Sequence, residues 1–169
     1  MLGFLPVHVF DVAQTEGEEL SESNLLNADL AVTLKKLMEF AASREIQIAY
    51  SDQISPAKGT SYRGVIRLLP DMEAAETVSA LVRELAIQML YATERRSFLT
   101  RGVILKEAKA VAFVIAHALG MESGLNDDIQ LYYGNTNLLA ESLEVVKRTA
   151  AVILGAISPR DAQDGNEVQ

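Results

Sequence analysis

From Thr77 to Leu90 the chain places Val78, Leu81, Leu85 and Met89 at intervals of three and four residues, which forms one apolar stripe on a helix. A helix with such a stripe must be covered by other elements, so it fixes the core that the remaining segments pack around. Between the stripe residues stands Arg83-Glu84-Leu85-Ala86-Ile87. Taken alone, this is an amphipathic turn whose glutamate would sit on a solvated face.

The segments around this helix read as follows. Val7-His8-Val9-Phe10-Asp11 alternates as a short strand, and polar residues 14–23 with Gly17 form a loop. Asn24 or Asn27 is a candidate cap for a first helix running to about Ser43, with Leu30, Leu34, Leu37 and Met38 on its apolar side. Ile46 to Tyr50 alternates as a strand, Ser55-Pro56-Ala57-Lys58-Gly59 is turn chemistry, and Ser61 to Leu69 reads as a second strand. Residues 46–69 are therefore expected to be a β-hairpin with a long loop. Pro70 stops the strand and Asp71 is a candidate cap for the helix that runs to about Thr93, with Glu73 and Glu76 favouring its dipole. Residues 94–102 read as a charged loop. A third helix spans about 103–119 and closes at Gly120. Asp127 to Tyr133 reads as a short helix, 137–157 as the last long one, and 159–169 as a polar, disordered tail. This order of elements predicts a single α+β domain over 1–158, a small sheet on a helical layer.

Composition narrows the function classes. The chain has 169 residues, 49% hydrophobic, enough for one domain with a real core. It has no cysteine, which excludes disulfides and thiolate metal sites. No apolar run approaches the roughly 20 residues of a membrane span, and Met1 to Pro6 lacks the basic start of a signal peptide. A cytoplasmic protein without a membrane partner is the expectation. The net charge is −8, and Asp11, Glu16, Glu18, Glu19, Glu22 and Asp29 all precede the first cation, Lys35. That distribution repels phosphate backbones, so no nucleic acid is expected as a partner of this domain alone. Arg95, Arg96 and Arg101 form the one local basic run of note, and it reads as a solvated loop.

An ordered set of segments carries a family resemblance. It comprises Pro6 to Gly17, with Asp11-Val12-Ala13-Gln14-Thr15-Glu16-Gly17; Tyr62-Arg63-Gly64-Val65-Ile66-Arg67-Leu68 as one strand; the Thr77–Leu90 helix; Glu107-Ala108 at the start of a helical run to Ile115; Ala118-Leu119-Gly120; Asp128 to Gly134; and Leu139 to Leu154. Over about Pro6 to Ile157 this set resembles the zincin-like peptidase region of ArdC-type antirestriction and ImmA/IrrE-like metallopeptidase proteins. The resemblance implies a zincin-like fold, with a small antiparallel or mixed sheet against about four to five helices. It also implies that an active-site helix once carried His-Glu-x-x-His. ArdC-type relatives have a single-stranded-DNA-binding domain before this region, and the chain begins where that domain would end.

In such a helix two histidines at i and i+4 ligate zinc from one side, and the glutamate between them acts as general base on the metal-bound water. Here Arg83 and Ile87 occupy the two histidine positions. Arginine only donates, and isoleucine has no donor atom for a metal. The resemblance thus makes Glu84 a vestigial general base and Glu107 a vestigial third ligand, with no metal and no cofactor expected. His8 lies in the first strand, and His117 is ten residues past Glu107, about 15 Å along the helix, so neither replaces the lost pair. If both glutamates remained in a cleft, their charge would call for a cation, and Arg83 is expected to pair with Glu84 or Glu107.

Three functions remain open. One is a catalytically inactive pseudo-peptidase that binds or regulates a protein partner or another copy of itself. Another is a hydrolase using Glu84 and Glu107 in unconventional acid/base chemistry. The last is a purely structural α+β domain.

Overall fold

The structure, a computed structural model, describes residues 29–97, 99–121 and 136–158. The expected strand at Val7–Asp11, the loop 14–23, the short helix at 127–133 and the tail 159–169 lie outside the described residues. What is described is an α+β arrangement. Its elements are α1 (Leu30–Ser43), β1 (Gln47–Tyr50), β2 (Gly59–Tyr62), β3 (Val65–Leu68), α2 (Ala74–Tyr91), α3 (Arg101–Ala118) and α4 (Thr136–Ile157).

α2 is the hub. It packs against α1, α3, α4 and the strands β2 and β3. Val78, Leu81 and Leu85 of the expected stripe are almost fully buried, and so are Val82 and Ala86 between them. A helix apolar on most of its circumference is stable only when enclosed, which is what its four sets of neighbours do. α1 lends Leu37 and Ala41 to this core, α3 lends Val111 and Ile115, and α4 lends Val145 and Ile153.

The sheet departs from the expected hairpin of 46–50 with 61–69. β1 does not pair with β2; the order is β1-β3-β2, with β1 parallel and β2 antiparallel to β3. The run Tyr62–Leu68 is not one strand either. Arg63 and Gly64 have φ of 45° and 78°, and this left-handed pair turns the chain tightly between β2 and β3. Burial explains the order. Ile66 and Leu68 are the most buried strand residues, so β3 takes the central place and the more exposed β1 and β2 take the edges.

The helix ends follow local chemistry. Asp29, rather than Asn24 or Asn27, caps α1, its carboxylate accepting from the N–H of Ala31 at 2.8 Å and of Val32 at 3.3 Å. Asp71 does not cap α2. It has φ 57°, and the helix starts beyond it with Glu73 at the cap position and no side-chain cap bond. Thr100 caps α3. α3 closes as expected at Gly120, where the N–H of Met121 bonds Ala116 O at 2.9 Å and that of Gly120 bonds His117 O at 3.0 Å. α1 closes with the same pair of bonds, from Ile46 to Ala41 O and Glu45 to Ala42 O, but with Glu45 at φ 59° in the left-handed position. No helix among the described residues is long and apolar enough to cross a membrane.

Two substitutions should move stability in opposite directions. Glu45→Gly relieves a left-handed non-glycine residue and is expected to stabilise by ~0.5–1 kcal/mol. Gly64→Ala forces a Cβ into the tight turn and is expected to destabilise by ~1–2 kcal/mol, although that Cβ would meet only Glu45 O at 3.8 Å. Urea titration of both variants measures these signs, and matching signs would contradict the backbone argument.

Candidate functional site

Glu84 lies on the side of α2 that faces β2 and is 3% exposed. Its carbon chain runs directly under the strand: a Cβ added to Gly59 would lie 3.0 Å from Glu84 Cγ and 3.3 Å from Leu68 Cδ2. Gly59 is therefore the residue whose missing side chain makes room for the carboxylate. The next residue back supplies the charge. Arg83 Nε and Nη2 both donate to Glu84 Oε1, at 3.0 and 2.9 Å, and Nη2 also donates to Gly59 O at 3.3 Å. One guanidinium thus ties the buried carboxylate to the backbone of an edge strand. The pairing suggested by the sequence is present, with Glu84 as the partner.

The Arg83–Glu84 pair forms part of the wall of a cleft of about 1080 Å³. β2 lines one side. α2 contributes Arg83, Ile87 and Tyr91 at four-residue spacing, and α3 contributes Arg101, Leu105 and Lys109 at the same spacing. Ile87 is half-buried there, one turn from Arg83. The structure therefore brings together Arg83, Glu84 and Ile87.

Glu107 is placed elsewhere. It stands two positions from Leu105 on α3, so it is rotated by most of a half-turn from the cleft face. It is 1% exposed, and the Ser142 hydroxyl of α4, itself buried, donates to its Oε1 at 2.6 Å. Instead of facing Glu84 across the cleft, Glu107 joins α3 to α4. His117 is exposed near the end of α3 with its ring stacked on Phe113 at 6.4 Å between centroids. His8 lies outside the described residues. Arg101 is the first residue of α3 rather than part of a loop, and the side chains of Arg95 and Arg96 lie outside the described residues.

Among the described residues, those lining the cleft do not fit zinc. Arg83 is already a fixed cation with donors only, and Ile87 offers no lone pair. Among the described residues no group of three or more histidine, aspartate or glutamate side chains is arranged to hold a metal ion. Comparison with protein-family models, with curated proteins and with solved structures finds no match for this chain.

Gly59 and Ser142 were not identifiable as site residues from the sequence. Gly59 sits in Ala57-Lys58-Gly59, which reads as a turn, and its contact with Glu84 spans 25 positions of chain. Ser142 has no signal beyond being a small polar residue at a buried helical position.

Arg83→Ala would leave the Glu84 carboxylate enclosed without its cation. Because the Arg83 side chain is 39% exposed, water can partly replace it. The expected loss is therefore ~2 kcal/mol, below the ~3–5 kcal/mol of a fully buried pair. Adding Glu84→Gln should recover part of that loss. A double-mutant cycle by chemical denaturation giving a coupling within ~0.3 kcal/mol of zero would contradict the pair's structural role.

Proposed function

We propose that this chain is a catalytically silent, zincin-like pseudo-peptidase domain that binds or regulates a protein partner. The observation that carries the reading is the Arg83–Glu84 pair in a cleft with Ile87 one turn away. In the frame of a zinc-binding helix, the guanidinium stands at one ligand position and supplies the positive charge beside the former general base. The resemblance set out above supports the peptidase part of the reading, and the chemistry of Arg83 and Ile87 supports the silent part. Arginine leaves no open coordination position and cannot activate a water molecule as zinc does.

The surroundings of the two glutamates favour binding over hydrolysis. Acid/base catalysis by a carboxylate pair needs both groups within reach of one substrate. Glu84 is engaged by Arg83 on the cleft, while Glu107 is engaged by Ser142 between α3 and α4. What remains at the cleft is a surface for recognition, which makes the partner a protein or a second copy of the chain.

The reading is tested by metal content. Purified protein is expected to contain well below one zinc per chain by elemental analysis, and one zinc per chain would overturn the silent reading. The double variant Arg83→His with Ile87→His puts two imidazoles one turn apart with Glu84 between them. Zinc should then take over the charge that Arg83 supplies. The ion is expected to raise the melting temperature of the double variant and not that of the wild type or Arg83→Ala. A folded double variant indifferent to zinc would count against the zincin-like frame.

A further inference from the structure

Among the described residues no strand pairs with the outer edge of β2, the strand beside the pair. A two-residue turn at Arg63-Gly64 makes its closing pair, Tyr62 and Val65, a hydrogen-bonded one. Alternation then turns the N–H and C=O of Tyr62 and Thr60 toward β3 and those of Ser61 and Gly59 outward. The bond from Leu69 N to Lys58 O, at 3.0 Å, continues this register. The Arg83 bond to Gly59 O, made from the cleft side, agrees with it. Every residue of β2 lines the cleft, so this outer edge opens into it.

Two further observations bear on what could lie there. Among the described residues the cleft is lined by Arg63, Arg83 and Arg101 against the carboxylate of Glu84, a surplus of two positive charges in a chain of net charge −8. At physiological salt, charges beyond about 8 Å are largely screened, so this local surplus is what a ligand in the cleft meets first. The Ser61 hydroxyl, also on the cleft wall, is a buried polar atom with no hydrogen-bond partner.

We infer that the cleft takes an acidic, extended peptide segment of a partner protein, laid as an added strand along the outer edge of β2. The N–H of Gly59 and the N–H and C=O of Ser61 supply main-chain pairing. Arg63, Arg101 and the solvent side of Arg83 select acidic side chains on that segment. A free phosphate would use the charges but not the edge, whereas an extended acidic peptide uses both. This inference rests on the proposed binding role and names the chemistry of the partner.

The test uses the full chain, shown zinc-free by elemental analysis, and fluorescein-labelled Glu-Val-Glu-Val-Glu-Val as the probe. At low salt the probe is expected to bind at least about tenfold more tightly than its Lys-Val counterpart. Arg63→Glu with Arg101→Glu, both exposed positions, should weaken it by about tenfold or more, with circular dichroism confirming the fold. N-methylation of alternate probe amides should weaken binding by a similar factor, because it removes main-chain donors without touching the protein. Equal affinity for the two peptides, or no effect of the charge reversals, would overturn the inference. Indifference to N-methylation would overturn strand addition. Displacement of the probe by millimolar inorganic phosphate, or tighter binding of a labelled single-stranded oligonucleotide, would assign the cleft to a different anion. Failure of the probe on zinc-free protein sinks this inference alone, whereas one zinc per chain sinks the silent reading beneath it.

Discussion

The enclosed carboxylate of Glu84 is the constraint around which the sheet and α2 are arranged. A charge at 3% exposure is tolerated only where a cation and hydrogen-bond donors meet it. Arg83 meets both needs from the adjacent position, and its second link to Gly59 O carries the pair across to the sheet. Three features follow from that single contact. Residue 59 has no room for a side chain, β2 must run close over α2, and α2 must present its 83–87 turn toward the strand rather than toward another helix.

The same contact sits at an opening in the hydrophobic packing. α2 is covered by α1, α3, α4 and β3 along most of its surface, and those contacts supply the bulk of the burial free energy. The cleft lies between β2 and the Arg101, Leu105 and Lys109 face of α3. Glu107 lies behind that face, and its bond with Ser142 secures α4 against α3. Two buried glutamates on neighbouring helices thus have separate tasks, one at the cleft and one holding the helices together.

Local chemistry was legible in the sequence, and long-range placement was not. The bodies of α2 and α3 and the end of α3 at Gly120 follow from apolar spacing and local caps, because such signals lie within a few residues of what they determine, whereas their starts at Ala74 and Arg101 differ from the expected ones. The turn at Arg63-Gly64 was hidden because its flanking residues, Tyr62 and Val65, continue a strand-like run of polar and apolar alternation. Once that turn is missed, β2 and β3 merge and the order β1-β3-β2 cannot be reached. The direction of Glu107 depends on which helix covers the back of α3, and nothing near residue 107 encodes the approach of Ser142. By contrast, an ion pair of Arg83 with Glu84 or Glu107 could be anticipated, since long side chains can meet around an enclosed charge, and the structure selects Glu84.

A guanidinium and a metal ion give a cleft different chemistry. Zinc in an open site brings two positive charges and a vacant position, so it binds a carbonyl or a water molecule and activates it. Arg83 brings one charge, spends two of its donors on a single carboxylate oxygen, and offers no lone-pair acceptor site. A segment that enters the cleft can be held by charge and by the backbone of β2. Exchange of a metal ligand for arginine, as the proposed reading has it, would remove metal-based turnover while leaving the strand edge, the cleft and its positive rim in place. Those features are the ones recognition requires, so loss of a metal and retention of a binding surface would be physically compatible in one small domain.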